Sequence, residues 1–176
     1  MICPLHGPIL KENLDFYINK YDIWISYKPE DDGVLVAYAS IHGNTKEAAE
    51  EFAKMLEEKG AKKVVLTDLA RDDMAEAIED AFRYDKVVFA SSSYNFEVFP
   101  PMDQFLRHLK GKNYQNRKIG IIENGTWAQS AGKCIREIVE TMQDINICEP
   151  TVTIRSRLND ETRKNLEILA ESILEK

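Results

Sequence analysis

Ser40-Ile-His-Gly-Asn-Thr45 joins an apolar run, Val34-Leu-Val36, to a segment, Thr45 to Lys59, whose apolar residues recur at helical spacing. A hydroxyl-bearing loop that opens a helix can hold an anion, because first-turn N–H groups lack intrahelical partners and the helix dipole is positive there. Ser40, Asn44 and Thr45 add side-chain donors, Ile41 and His42 complete the loop, and Lys46 is the one formal cation within reach. Gly43 is the only glycine, so neither the Gly-rich loop of a nucleoside triphosphate site nor the three-glycine turn of a dinucleotide site is present. The chemistry suits one terminal phosphate monoester held by amides and hydroxyls. Ser, Asn and Thr before a helix also act as ordinary caps, and this loop alone does not separate the two roles.

Two further segments mix the same donors with aromatic rings. Ser91-Ser-Ser-Tyr-Asn-Phe-Glu-Val-Phe-Pro100 supplies Ser92, Ser93, Tyr94, Asn95 and Phe96, and Glu123-Asn-Gly-Thr-Trp-Ala-Gln-Ser130 supplies Asn124, Gly125, Thr126 and Trp127. Planar side chains beside amides and hydroxyls suit a flat heteroaromatic ring, with Tyr94 and Trp127 placed to stack on it. Any one of these rings could instead pack against a sheet edge.

The elements that must bring these loops together alternate along the chain. Strands are expected at 34–36, 62–67, 86–91, 118–122 and 151–155, and helices at 45–59, 72–84, 99–109, 130–145 and 159–174. That rhythm predicts an α/β fold with a parallel sheet, helices on both faces and right-handed crossovers. Five strands favour the flavodoxin-like order 2-1-3-4-5, whose ligands sit beyond the carboxyl ends of the strands. The loops after strands one, three and four should then converge. A further helix is expected over Asn13–Ile25, so the chain divides into a connector, 1–32, and a domain, 33–176.

The chemistry excludes several neighbours. A phosphoryl-accepting receiver domain needs acidic residues where strands one and three end, but Ala39-Ser40 and Ser91-Ser92 stand there. Asp31 and Asp32 fall at the opposite end of the sheet and read as a solvated linker or a turn with Gly33. No Gly-x-Ser-x-Gly elbow is present, and no catalytic residue is assigned. His108, beside Arg107 and Lys110 near a helix end, reads as a surface residue complementing the dipole.

Hydrophobic residues make up 44% and charged residues 30% of 176 positions, with a formal net charge of −7. An acidic excess argues against nucleic-acid and anionic-membrane partners and is compatible with a basic protein partner. Cys3, Cys134 and Cys148 show no CxxC spacing, which points to a reducing, cytoplasmic setting without a disulfide framework. The segment that begins Met-Ile-Cys-Pro lacks a basic region and an apolar region, so no signal peptide is expected, and no apolar run reaches membrane-spanning length.

Taken together, the three loops resemble those of the FMN domain of flavodiiron proteins, also called A-type flavoproteins, and the likeness spans nearly the whole chain. Ser40–Thr45 resembles that family's loop for the FMN 5′-phosphate. Ser93-Tyr-Asn95 with Phe99-Pro100 resembles its Thr-Tyr-Asn…Phe-Pro loop beside the isoalloxazine, and Trp127 matches the tryptophan of its third loop. The third loop departs from the family's Gly-Ser-Tyr/Phe-Gly-Trp, and the second begins Ser-Ser-Ser where Ser-Pro-Thr is usual.

Cys3-Pro-Leu-His-Gly-Pro8 resembles a Cys/Thr-Pro-x-His-Gly-Pro segment at the end of the family's preceding metallo-β-lactamase-like domain. There the histidine is one of several di-iron ligands. The others are missing from this sequence, so His6 is expected to be a stranded iron ligand and no metal site is predicted. The resemblance implies an FMN-binding electron-transfer module, an oxidoreductase component that takes electrons from rubredoxin or a reductase. They would pass on to a di-iron centre, absent here, that reduces oxygen or nitric oxide. An FMN-dependent NAD(P)H:quinone-type reductase and a flavin-free interaction domain are the alternatives.

Phe16, Tyr17, Tyr21 and Trp24 of the connector helix would lose their usual packing in such a piece. A homodimer, or a docked partner domain, is therefore expected through residues 1–28. Glu97 and Glu123 fall near the expected ring, where their charge would oppose added negative charge on a reduced flavin.

Overall fold

The computed structural model describes residues 1–175; Lys176, the last residue of the expected domain, lies outside them. Helix α1 (Leu14–Ile25) precedes β1 (Asp31–Ala39), α2 (Asn44–Glu58), β2 (Val64–Asp68), α3 (Met74–Arg83) and β3 (Tyr84–Tyr94). A short β4 (Glu97–Val98) leads to α4 (Pro100–Gly111), β5 (Arg117–Asn124) and α5 (Ala131–Val139), and β6 (Ile145–Ile147), β7 (Val152–Ile154) and α6 (Asp160–Leu174) follow. The sheet runs β2-β1-β3-β5-β6, with β7 also on β5 and β4 folded back antiparallel onto β3.

Side chains alternate across this sheet and divide the core in two. Leu35, Ala37, Val87, Phe89, Ile119 and Ile121 face one way and pack on Ala77 and Ala81 of α3, Phe105 and Leu106 of α4 and Ile135 of α5. Val34, Val36, Val88, Ala90 and Ile122 face the other way, onto Phe52 and Leu56 of α2 and Leu166 and Leu169 of α6. Each large apolar side chain so buried contributes roughly 1.5–3 kcal/mol. The fold is flavodoxin-like, as expected.

The far edge differs in detail from expectation. β6 pairs with Arg117–Ile119 and β7 with Ile122–Asn124, so the fifth strand is one edge strand interrupted at 148–151. The helix expected over 130–145 ends at Val139. Asp144 has φ 52, which no helix accommodates, and the β-branched pair Ile145 and Ile147 joins the sheet instead.

Asp31 and Asp32 are not a free linker: they start β1 at the amino end of the sheet. Asp31 accepts from Arg83 Nε at 2.7 Å, and Asp32 pairs with Lys62 and Lys86, each at 2.9 Å. Arg117, buried with no carboxylate partner among the described residues, donates to the carbonyls of Tyr84, Gln115, Asn116 and Phe82, and also to Tyr27, which fastens the end of the connector to the sheet. Burial pushes its pKa below the ordinary value.

Helix α1 itself buries no residue, and Phe16, Ile18, Tyr21, Trp24 and Ile25 lie exposed. Trp24 donates to Glu30 at 2.6 Å, and Lys20 pairs with the same carboxylate. Among the described residues no helix is long and apolar enough to cross a membrane.

Hydrogen bonds from Lys62 and then Lys86 hold the Asp32 carboxyl down at about 2. A depressed carboxyl contributes stability above its unfolded pKa and loses it as pH falls through the folded one. Asp32→Asn should therefore cost up to about 1 kcal/mol at neutral pH, the ceiling for a half-exposed pair. In urea denaturation, the gap to the parent protein should close as pH falls from about 4 towards about 2; a gap independent of pH would show that the pairs contribute nothing through charge.

Candidate functional site

The three loops meet at the carboxyl end of the sheet. Every residue expected to hold a ligand lines one cleft of about 380 Å³ except Gly43, and Ala128 and Ser156 complete the wall. That volume is in the range of small-molecule sites. Among the described residues no Asp, Glu, Lys or Arg lines it, so the lining itself meets a bound charge chiefly through dipoles.

The first loop is shaped by Gly43, whose φ of 92 is open to glycine and strained for other residues. Its N–H donates to Ser40 Oγ at 3.0 Å, so Gly43 shapes the loop without lining the cleft. Beyond it, the backbone N–H groups of Asn44, Thr45 and Lys46, the first turn of α2, have no acceptor among the described residues, and α2 has no side-chain cap. By contrast, Asn159 and Thr162 form a capping box on α6, and Asp73 caps α3. Lys46 lies on the outer face of α2, 3.8 Å from Glu50.

Polar contacts lock the loops to one another. Thr45 Oγ1 lies 2.8 Å from Ser92 Oγ, which joins the first loop to the second. Ser93 Oγ accepts from the N–H groups of Ser130 and Ala131 at 3.0 and 3.1 Å, so its oxygen caps α5 and joins the second loop to the third. Gln129 Nε2 donates to the Gly125 carbonyl at 3.0 Å. Asn44 Nδ2 reaches Ser156 Oγ at 3.3 Å, bringing in a fourth loop that follows β7.

The aromatic rim projects from these anchors. Asn95 and Phe96, with φ of 50 and 63, turn β3 back into β4 as a two-residue hairpin. Asparagine adopts this conformation readily and phenylalanine rarely does, which leaves Phe96 strained and 81% exposed. Tyr94 packs edge-on against Phe99 at 5.9 Å, and Trp127 is fully exposed. Three large rings thus stand around the mouth of a polar-floored cleft.

Two expectations need correction. Glu123 points away from the cleft: it is buried and accepts from Gly132 N at 2.7 Å and Thr153 Oγ1 at 2.8 Å, bracing α5 against β7. Glu97 is exposed on β4 and does not line the cleft either. Successive strand residues face opposite ways, so closeness in sequence to Asn124 or Phe96 did not place either carboxylate at the ring site. Ser156 was missed although it follows an apolar strand, the same signal that marked the first three loops. His108 is exposed in the last turn of α4. His6 is exposed, and among the described residues no three His, Cys, Asp or Glu side chains come together as a metal site would require.

A family model described as a flavodoxin domain matches residues 35–167. An uncharacterised protein of Methanocaldococcus jannaschii is 28% identical over 169 residues, which are 93% of this chain and 41% of that protein. The structure of rubredoxin oxygen:oxidoreductase from Desulfovibrio gigas aligns with a TM-score of 0.84 at 20% identity over 91% of this chain and 39% of its own. A variant of the flavo di-iron protein of Thermotoga maritima aligns with a TM-score of 0.78 at 23% identity over 96% of this chain and 42% of its own. The likeness to flavodiiron proteins read from the loops therefore extends to the fold. The chain spans less than half the length of each of these three proteins.

Gly125 offers a direct test of the cleft's geometry. A Cβ there would lie 2.8 Å from the Ala128 carbonyl oxygen and 2.9 Å from Ser93 Oγ, so Gly125→Ala must displace the third loop or the oxygen that caps α5. We expect a loss of roughly 1–3 kcal/mol in denaturant melts, the usual cost of overpacking, with altered Trp127 fluorescence; unchanged stability and emission would mean that the loops are not held as described. With two sheet faces buried, four loops gathered at the strand ends and a family match across most of its length, this chain belongs to the flavodoxin domain family.

Proposed function

We propose that the cleft binds FMN and that the protein is an electron-transfer module, an oxidoreductase component rather than a complete enzyme. The observation that carries this reading is the pairing, in one cleft, of an uncapped α2 amino terminus with the rings of Tyr94, Phe96 and Trp127. The residues present fit the cofactor. The open N–H groups of Asn44, Thr45 and Lys46 and the hydroxyls of the first loop suit a phosphate monoester. Tyr94, Phe96 and Trp127 provide surfaces for a planar tricycle, and Ser92, Asn95 and Asn124–Thr126 supply polar groups along its edge. When bound, FMN supplies one- and two-electron redox chemistry, while the chain supplies position and polarity.

The relatives support the setting of that chemistry. The name of the Desulfovibrio gigas protein carries both rubredoxin and oxygen. On this reading a rubredoxin or a reductase delivers electrons here, in the cytoplasm, and a di-iron centre on a metallo-β-lactamase-like domain receives them to reduce oxygen or nitric oxide. Residues 1–32 act as the connector and 33–176 as the flavin domain, with the exposed aromatic side of α1 seated on that partner domain or on a second copy in a homodimer. Neither a nucleic acid nor a membrane is a partner on this account.

Adding FMN to cofactor-free protein should shift and structure the flavin's visible bands and quench its fluorescence at one equivalent. Stopped-flow reduction should then be fast with reduced rubredoxin and slow with NAD(P)H. No spectral change would leave a flavin-free interaction domain, and rapid reduction by NAD(P)H would favour the quinone-reductase alternative. Separately, light scattering at rising concentration should show dimers that Tyr21→Ser/Trp24→Ser disperses; a species that stays monomeric throughout would remove self-association from the proposal.

A further inference from the structure

The turn after β7 has features that a structural loop does not need. Ser156 has φ 73, and Arg157 N donates back to the Arg155 carbonyl at 3.2 Å, a three-residue γ-turn of the strained hand. Glycine would adopt this backbone without penalty, yet serine stands there. Buried Asn124 spends its carboxamide on holding the turn: Nδ2 donates to the Ser156 carbonyl and Oδ1 accepts from Ser156 N, each at 3.0 Å. The clamp brings Ser156 Oγ into the cleft, where it accepts from Asn44 Nδ2 at 3.3 Å beside the open end of α2, leaving its own proton to donate. On either side, Arg155 and Arg157 are exposed and form no ion pair among the described residues, in a chain of net charge −7.

We propose that the Arg155-Ser156-Arg157 turn reads the phosphate of the ligand and sets the preference of this site for a phosphorylated flavin over the unphosphorylated one. This rests on the flavin reading above. Ser156 donates its hydroxyl proton to a phosphate oxygen, and the two guanidinium groups supply through space the positive charge that the lining of the cleft lacks. Asn124 is the positioning residue, and the strained backbone at Ser156 is the cost of presenting a hydroxyl where glycine would be the relaxed choice.

The test compares FMN with riboflavin by fluorescence titration at several salt concentrations. It uses the full chain, Ser156→Gly, and the double variant Arg155→Gln/Arg157→Gln. Ser156→Gly should weaken FMN roughly tenfold, as expected for loss of a hydrogen bond to a charged group, leave riboflavin unchanged, and keep or raise the melting temperature. The double variant should weaken FMN several-fold at low salt and flatten its salt dependence, again sparing riboflavin. Equal losses for both flavins, or none for either, would overturn the proposal. The slope of FMN affinity against ionic strength decides the matter for the arginines even where riboflavin binds too weakly to titrate. If the parent chain binds neither flavin, the flavin reading itself falls; if it binds FMN and the variants match it, only this inference does.

Discussion

A parallel strand covered by helices on both faces has no place along its length for an unpaired polar side chain, and every other property of this site follows from that constraint. β1 is apolar from Val34 to Ala39 and turns polar at Ser40, and β3 is apolar from Val87 to Ala90 and turns polar at Ser91. β5 does the same after Ile122, and β7 after Ile154. Because the strands run in one direction, the polar residues displaced from each core segment collect at the same edge. The site is where the core ends four times side by side.

The same constraint explains how much was legible from residue order. Buried strands announce themselves as continuous apolar runs, so β1, β3 and β5 and the loops beyond them could be read directly, along with the order of the sheet. The interrupted edge strand could not. Ile145 and Ile147 are only partly buried, and their short run continues the apolar spacing of α5; only a partner strand at Arg117–Ile119 turns it into sheet. The carboxylates failed for a different reason. Glu123 and Asn124 are neighbours in sequence and opposites in space, one bracing α5 and the other facing the cleft, and composition carries no record of which face a residue takes. Ser156 carried the right signal but followed the last strand, whose outgoing loop, like that of the second, carried no expected role.

Most of the polar groups around the cleft are already engaged with each other before any ligand is considered. The Thr45–Ser92 contact, the Ser93 cap on α5 and the clamp of Asn124 on Ser156 each join elements distant in sequence. Such wiring fixes the relative placement of four loops, and a site held this way spends less ordering entropy on binding. The N–H groups of the α2 amino terminus remain outside the network, as does the Trp127 ring. The rigid part of the site and the part free to engage a ligand are thus distinct sets of atoms.

The interruption between β6 and β7 also bears on how copies of this chain meet in concentrated solution. An uninterrupted outer strand would present a ladder of unpaired amides and carbonyls onto which another chain could add, the first step towards fibrils. Here each segment is three residues long, separated by a stretch containing Pro150, which has no amide hydrogen to offer. Steric zippers need six or seven residues in register. The break denies incoming strands that template.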